Sequence, residues 1–367
     1  MFISKLLEDN EQPNDVAVIE RLKESALPVV LYGASIDVAD QIVKKLLLNH
    51  ITVSFVAYDE DCPMMADATV LLKNTDSIRV EDIDKKITAY NVILGFVKGY
   101  LNIDSISQKF INAKSIDYLS EIFDMEIISR SFVEENSAFL EEFYENLQDR
   151  KSKDSFTAYL LSKVHQDMKY LPPIFEKVQY FPQGIFTLTE HESYFDCGAF
   201  TGDTIEAFLR TTGGMYRRIW AVEPDRSNYQ QLMQYISDEN LSNIDVVNKG
   251  IYNYTGILPF LETGSMLSMI TDASDNCIEV DTIDHLAAGN PVSYIKMDVE
   301  GVELEALRGA EQTIKAFKPV LGISIYHKQQ DLIDIPMYIK EIVPEYKFYF
   351  RVHKKLAIDT VLYGIVK

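Results

Sequence analysis

The sequence is poor in cysteine. Its 367 residues include only Cys62, Cys197 and Cys277, and these do not stand at metal-ligand spacing. An odd, sparse set of cysteines supplies no disulfide framework and is typical of a chain in a reducing compartment. We therefore expect no structural disulfides, no cysteine-based metal site, and a cytoplasmic location.

Long hydrophobic runs and an excess of basic residues are also missing. A membrane span needs about 18 consecutive apolar residues, which the sequence nowhere contains, and the apolar stretch near residue 1 is too short for a signal peptide. Lysine and arginine number 35 against 56 aspartates and glutamates, so the formal net charge is −21. That field repels nucleic acid and anionic membranes, which argues against a general surface for binding either.

The length and the 47% hydrophobic content predict two domains with separate cores. In residues 1–104, apolar runs at 28–34, 51–59 and 91–97 predict strands, with a helix over 37–49. Short strand–helix–strand connections make a parallel sheet, so we predict a smaller Rossmann-like α/β domain. Residues 105–185 show helical spacing without a strand signal and predict a helical connector.

From residue 186 to 367, strand and helix alternate more regularly. Strands are predicted at residues 193–199, 218–224, 244–252, 292–299, 319–327, 346–353 and 359–367. Helices are predicted at residues 204–210, 228–237, 302–316 and 335–343. Five strand–helix units that end in a strand pair predict a doubly wound seven-stranded sheet with a hairpin at its edge.

The sharpest local signal is YFDCGAFTGDT, residues 194–204. A strand ends at Asp196, and Gly198 and Gly202 let the following loop turn tightly and approach a ligand. In a dinucleotide fold, the N–H groups of the next helix would hold a pyrophosphate. A carboxylate at the start of the loop repels a pyrophosphate but suits the amino group of a methionine moiety. The loop therefore favours S-adenosylmethionine over NAD.

An acidic residue ends the next strand. Glu223, in the segment WAVEPD, follows the glycine loop by about 20–25 residues. A carboxylate in that place can accept both hydroxyls of a ribose. The alternative is an ordinary glycine turn with an acid that faces solvent, but the two features on successive strands together favour ligand binding.

Five blocks of sequence carry a resemblance to a known family. They are DCGAFTGDT (196–204), AVEPD (221–225), VDTID (280–284), IKMDVEGVELEALRGAE (295–311) and PVLGISIYH (319–327). In this order and spacing they resemble the FkbM-type methyltransferases, with the family domain over residues 186–367. The resemblance implies a class I methyltransferase fold, S-adenosylmethionine as cofactor, and O-methylation of a sugar, glycan or related small molecule.

The resemblance also implies roles for individual residues. Asp196, Gly198 and Gly202 would surround the methionine part of the cofactor, Glu223 would hold the ribose, and residues 248–251 are the expected region of the adenine. The cofactor-binding residues predicted on this basis are Asp196, Gly198, Ala199, Phe200, Thr201, Gly202, Glu223 and Pro224.

Two further strand ends carry residues suited to catalysis, namely Lys296, Asp298, Glu300 and His327. Methylating a hydroxyl requires positioning for attack and removal of a proton. Asp298 or His327 could be the base, and an unperturbed histidine pKa of about 6.5 suits that role better. Asp298 or Glu300 could instead orient a sugar.

Two other interpretations of these four residues stay open. Asp298, Glu300 and His327 could hold a divalent cation, but hard cations usually take more oxygen ligands, so no metal is predicted. The second interpretation is a purely structural role. Asp298 could cap the next helix, Lys296 could pair with Asp298, and His327 could be a hydrogen-bonded residue at a strand end.

The role of the N-terminal region has two possible interpretations. Gly33 is the only glycine of its loop, and Asp59 ends the second strand where a ribose-binding acid could lie. We expect a degenerate Rossmann-like domain that supports the enzyme, with recognition of a nucleotide sugar as the alternative.

For the whole chain, the competing functions are a non-catalytic scaffold that binds S-adenosylmethionine or a glycan and, less favoured, an NAD-linked sugar oxidoreductase or epimerase. A homo-oligomer is left open.

Overall fold

A computed structural model of the chain describes residues 2–8, 13–62, 75–95, 103–120, 128–171, 174–265, 268–271, 274–353 and 359–366. The chain forms two compact units. The N-terminal unit comprises residues 7–129 and 161–170, and the C-terminal unit comprises residues 1–6, 130–160 and 171–367. No helix within the described ranges is long and apolar enough to cross a membrane.

Helices and strands alternate through most of the described chain. The helices are α1 (Phe2–Glu8), α2 (Asn14–Ser25), α3 (Ile36–Leu48), α4 (Val80–Lys86), α5 (Ile103–Ser107), α6 (Arg130–Glu135), α7 (Ser137–Asn146), α8 (Arg150–Val164), α9 (Asp203–Thr212), α10 (Arg226–Asp238), α11 (Ile283–Ala287), α12 (Glu303–Arg308), α13 (Glu311–Phe317) and α14 (Asp331–Ile342). The strands are β1 (Val29–Tyr32), β2 (Val53–Tyr58), β3 (Asp76–Arg79), β4 (Tyr90–Leu94), β5 (Ala113–Asp117), β6 (Ser193–Cys197), β7 (Arg218–Val222), β8 (Ile244–Val247), β9 (Gly250–Ile251), β10 (Gly256–Leu261), β11 (Met269–Ile270), β12 (Cys277–Asp281), β13 (Tyr294–Met297), β14 (Val320–Ser324), β15 (Lys347–Val352) and β16 (Thr360–Ile365).

The N-terminal unit contains a five-stranded sheet of order β3-β2-β1-β4-β5, in which every neighbouring pair is parallel. Its central strand β1 is buried along its whole length, as expected for a parallel strand covered on both faces. The Ser35 side chain caps α3 by accepting a hydrogen bond from Val38 N. The predicted Rossmann-like α/β character of this region is confirmed.

The extent of this sheet differs from the prediction. Strand β5 lies in residues 105–185, for which no strand was predicted, so the sheet continues past residue 104. Its sequence, AKSID, has one large apolar residue and its side chains are mostly half-buried, so the usual alternation is absent. The predicted strand at 91–97 is described as far as Leu94, and its last residues, 96 and 97, lie outside the described residues.

The C-terminal unit contains a seven-stranded sheet of order β15-β16-β14-β13-β6-β7-β8. All neighbouring strands from β14 to β8 are parallel, and β16 is antiparallel to both β14 and β15. This is the doubly wound sheet with an edge hairpin that the sequence predicts. The direction of winding reverses between β6 and β13, which leaves a crevice at the carboxyl ends of these strands.

An aromatic core lies against one face of this sheet. The rings of Tyr194 on β6 and Phe208 on α9 stack with centroids 4.6 Å apart, and Phe181 packs edge-on against Tyr294 on β13. All four side chains are buried. This packing fixes the two strands whose carboxyl ends flank the crevice.

Residues 244–252, predicted as one strand, form two. The chain turns after β8, where Asn248 Nδ2 donates to the carbonyls of Glu223 and Pro224, each at 2.9 Å. It then continues as β9 in a separate four-stranded sheet of order β11-β10-β12-β9, which was not predicted. The predicted helix at 302–316 also divides, at Gly309, where a Cβ would lie 2.1 Å from Tyr252 O.

Candidate functional site

A cavity of about 300 Å³ opens at the carboxyl ends of β6, β7 and β13. The predicted site residues that line it are Gly198, Phe200, Glu223, Pro224, Lys296, Asp298 and Glu300. Asp196 and Ala199 have no accessible surface, and Thr201 and Gly202 do not belong to the wall. Residues predicted at three separate strand ends therefore line one cavity, although His327 and part of the glycine loop do not belong to its wall.

The glycine loop follows β6 and crosses close to two other strands. The N–H groups of Gly198 and Ala199 both donate to Val222 O at the end of β7, each at 3.0 Å. Gly198 has φ +79°, and a Cβ on it would lie 2.0 Å from the carbonyl oxygen of Asp298, just after β13. A side chain cannot fit there, so the loop needs glycine at this position both for its backbone conformation and for space.

Gly198→Ala tests this close approach. We expect the substitution to displace the loop or the segment after β13 and to lower the unfolding midpoint strongly, because two backbones must separate. Gly184→Ala is the matched control, since Gly184 also has a left-handed φ, +83°, but a Cβ there meets nothing within 4 Å. Thermal unfolding of both variants measures the difference, and equal losses would contradict a role for crowding.

Glu223, at the end of β7, is 5% exposed and holds the glycine loop through hydrogen bonds. Its Oε2 accepts a hydrogen bond from Phe200 N and its Oε1 accepts one from Asp225 N, both at 2.9 Å. Burial raises the pKa of Glu223 to about 7, although these two N–H donors oppose the shift. Each carboxylate oxygen has a second lone pair, so a ligand in the cavity can still donate hydroxyl hydrogens to it.

Asp196, predicted to contact the cofactor, does not belong to the cavity wall. It is fully buried, Thr204 Oγ1 donates to its Oδ2 at 2.5 Å, and Lys296 Nζ lies 3.1 Å from its Oδ1. Burial raises the pKa of Asp196, while Lys296 opposes that rise. The sequence analysis put this carboxylate at the start of the glycine loop, but sequence alone could not show that a lysine pairs with it.

Lys296, predicted as catalytic, borders the cavity but is 2% exposed. Besides its pairing with Asp196, its ammonium donates to Gly198 O at 2.6 Å. Burial lowers the pKa of Lys296, but Asp196 and Asp298 outweigh burial and raise it above its ordinary value. A buried ammonium held in this way supports the glycine loop and is not available as a base.

Asp298 and Glu300 line the other side of the cavity, and His327, which does not belong to the wall, lies next to them. His327 Nε2 lies 3.4 Å from Glu300 Oε2 and 3.7 Å from Asp298 Oδ1, and its Nδ1 lies 2.9 Å from Oε1 of the fully buried Glu303. Burial lowers the pKa of His327, but the three carboxylates raise it to about 11. The expectation of an ordinary histidine pKa at this position is therefore wrong.

Asp298 is held by residues that the sequence prediction missed. Tyr180 donates to its Oδ2 at 2.9 Å and lies 3.1 Å from Ser324 Oγ, while Tyr326 reaches its Oδ1 at 3.4 Å. Burial raises the pKa of Tyr180 well above its ordinary value, so this hydroxyl remains a donor. Tyr326 lies in the fifth sequence block, but no local pattern marks Tyr180, which precedes the sheet.

In the N-terminal unit, Asp59 has the position predicted for a ribose-binding acid but is already paired. Lys109 Nζ lies 2.6 Å from its Oδ2, and Tyr32 donates to the same oxygen at 2.9 Å. The same lysine also lies 2.6 Å from Asp61.

The strand order of the C-terminal sheet, the glycine loop after β6 and the acid at the end of β7 define the class I methyltransferase fold. Residues 196–348 match the profile of the methyltransferase FkbM domain. This part of the chain is therefore a methyltransferase domain of the FkbM family. No curated protein matches the chain significantly.

One solved structure extends the likeness beyond this domain. The crystal structure of methyltransferase FkbM from Methylobacillus flagellatus is 24% identical, with a TM-score of 0.72 over 96% of this chain and 94% of that chain. An rRNA methylase from Streptococcus thermophilus is 14% identical, with a TM-score of 0.32 over 49% of this chain and 90% of its own. A precorrin-6y C5,15-methyltransferase from Geobacter metallireducens is 9% identical, with a TM-score of 0.31 over 48% of this chain and 80% of its own. The first of these shows that the fold is shared over nearly the whole chain.

Proposed function

We propose that the protein is an S-adenosylmethionine-dependent O-methyltransferase that acts on a hydroxyl of a sugar, glycan or related small molecule. The observation that carries the proposal is Glu223, a buried carboxylate that faces the cavity directly beneath the glycine loop. Its free acceptor capacity suits a ribose, and the FkbM domain supplies the reaction class.

The residues around the cavity fit this cofactor. Gly198 brings the loop backbone to the cavity wall, and Glu223 would accept the ribose hydroxyls. Asp203, exposed at the start of α9, lines the cavity and would meet the amino group in place of Asp196. Gly250 and Ile251 line the part of the wall where the adenine is expected. When bound, S-adenosylmethionine supplies an electrophilic methyl group.

The acceptor would lie on the Asp298 side of the cavity. Carboxylates accept hydrogen bonds from sugar hydroxyls, and Asp298 and Glu300 are 21% and 26% exposed there. The hydroxyls of Tyr180 and Tyr326 hold Asp298 in position. Asp298 would orient the acceptor hydroxyl and take its proton as the new carbon–oxygen bond forms.

Transfer of a labelled methyl group tests the proposal. The protein is incubated with methyl-labelled S-adenosylmethionine and a panel of sugars, glycans and other polyhydroxylated small molecules, and the labelled product and S-adenosylhomocysteine are measured. We expect transfer to at least one class, with kcat about 100-fold lower in Asp298→Asn. Cofactor binding without transfer to any class would instead support the scaffold function.

The affinity for S-adenosylmethionine should depend on pH through Glu223. Ribose hydroxyls favour the ionised carboxylate, so the affinity is full above the pKa of about 7 and falls below it by at most about tenfold per pH unit. The charged groups that influence this carboxylate are Lys296 and Asp225. Calorimetric dissociation constants at pH 6 and pH 8 measure the effect. In Glu223→Gln the dissociation constant should no longer depend on pH. An unchanged pH dependence in this variant would show that another group causes it.

A further inference from the structure

The acceptor side of the cavity carries more negative charge than its neighbours neutralise. Three carboxylates, Asp298, Glu300 and Glu303, surround His327, and among the described residues this histidine is the only basic side chain within 4.0 Å of any of them. Three carboxylates around a single imidazole leave a surplus of negative charge, in a place that is only partly open to water. Such a cluster is unfavourable unless a further cation joins it.

The nearby lysines of the described chain are engaged elsewhere. Lys296 Nζ lies against Asp196 and Gly198 O. Lys328 donates to Gly301 O, a backbone carbonyl beside the cluster. Within the part of the chain that the structure describes, no lysine therefore forms an ion pair with these carboxylates.

The geometry of the cluster suits a metal ion. One ligand atom from each of Asp298, Glu300 and His327 lies within 4.8 Å of the others. Magnesium and manganese bind oxygen ligands at about 2.0–2.2 Å, which puts neighbouring ligand atoms about 3 Å apart. The distances of 3.4 and 3.7 Å from Nε2 to the two carboxylates are close to that spacing. Small side-chain rotations would complete the coordination.

His327 is a second, independent indication of a ligand. Its side chain is 11% exposed, and its Nδ1 lies 2.9 Å from Glu303 Oε1, whereas its Nε2 completes no hydrogen bond with a described residue. On the far side of the ring, Glu303 is fully buried, and Val299 N donates to its Oε1 at 3.0 Å. A buried carboxylate behind one imidazole nitrogen is the usual means of aiming the other nitrogen at a metal.

The backbone conformation at Glu300 also directs its side chain toward His327. Glu300 has φ +55° and the following Gly301 has φ +92°. A left-handed conformation is unusual for glutamate and persists only where surrounding structure imposes it. Here it presents the carboxylate to Nε2 of His327 instead of continuing the strand direction.

We infer that Asp298, Glu300 and Nε2 of His327 bind a hard divalent cation, Mg²⁺ or Mn²⁺, with Glu303 orienting the imidazole. The sequence predicted no metal because three side chains are few, but Mg²⁺ keeps several water ligands and needs few from the protein. Positions taken by water would be open to the acceptor hydroxyl, whose pKa the cation would lower. This inference rests on the proposed function only for the role of the cation, not for its binding.

Manganese binding to the full-length, chelator-treated protein tests the site. We expect one Mn²⁺ per chain by calorimetry and electron paramagnetic resonance, with an imidazole nitrogen coupling in the spectrum. Glu300→Gln and His327→Gln should each weaken binding by at least about 30-fold, and His327→Gln should also remove the nitrogen coupling. The control is Glu345→Gln, an exposed carboxylate that does not line the cavity, and its affinity should be unchanged.

Two results would overturn the inference. One is the absence of saturable Mn²⁺ binding to the unmodified protein at millimolar concentration, and the other is a spectrum without nitrogen coupling. Neither depends on whether a variant folds. A parallel titration with S-adenosylmethionine separates the two proposals: cofactor binding without Mn²⁺ binding rejects the cation site alone, and Mn²⁺ binding without cofactor binding rejects the proposed function alone.

Discussion

Glu223→Gln is expected to weaken S-adenosylmethionine binding by about 30- to 100-fold. Hydrogen bonds to a charged acceptor contribute about 1.5–3 kcal/mol each, and the ribose would donate two. Glutamine has the same size, but its amide nitrogen would face either Phe200 N or Asp225 N, both of which now donate to Glu223. The substitution therefore removes an acceptor for the ligand and also disturbs the contact between the glycine loop and β7. Calorimetric titration gives the affinity directly.

Glu262→Gln is the matched control for this prediction. Glu262 also accepts a backbone hydrogen bond, from Arg226 N at 2.9 Å, but it does not line the cavity. Its substitution should leave the affinity within about twofold, because surface changes rarely exceed about 0.5 kcal/mol. Equal losses in the two variants, or unchanged affinity in Glu223→Gln, would contradict the role given to Glu223.

Lys296→Met should destabilise the C-terminal unit by about 3–5 kcal/mol. Removing one partner of a buried ion pair leaves the other charge uncompensated, and Asp196 has no accessible surface over which water could solvate it. The substitution also removes the donor to Gly198 O, so the glycine loop should lose a support. Denaturant unfolding measures the loss of stability.

A surface pair provides the comparison for Lys296→Met. Lys315 and Glu311 form an ion pair on α13 with both side chains largely exposed, at 50% and 42%, so Lys315→Met should cost less than about 1 kcal/mol. Adding Asp196→Asn to Lys296→Met should recover part of the stability, because the unpaired charge disappears. A loss no larger than that of Lys315→Met would show that the buried pair is not needed.

The sequence predicted the parts of the site that depend on local pattern. The glycine loop and Glu223 follow successive strands, and the carboxyl ends of parallel strands meet at one edge of a sheet. The predicted doubly wound sheet was therefore enough to expect Gly198, Glu223 and Asp298 near one another, and all three line the cavity. The same local pattern could not distinguish Asp196, which turns into the protein, from Asp203, which faces the cavity.

The features that the sequence did not predict depend on contacts between distant segments. Tyr180 donates to Asp298, 118 positions later in the chain, and no periodicity reports such a pairing. The raised pKa of His327 results from carboxylates that follow a different strand. Strand β5 and the small sheet containing β9 were missed because most of their side chains are half-buried or exposed, which leaves no clear apolar pattern. Tertiary pairing decides such strands more than propensity does.

Calorimetric titration of S-adenosylmethionine into the unmodified protein, with NAD(H) titrated separately, tests the central claim most directly. We predict binding of one S-adenosylmethionine per chain in the micromolar range and no binding of NAD(H). Absence of S-adenosylmethionine binding, or tighter binding of NAD(H), would contradict the assignment of the cavity to a methyl-donor cofactor.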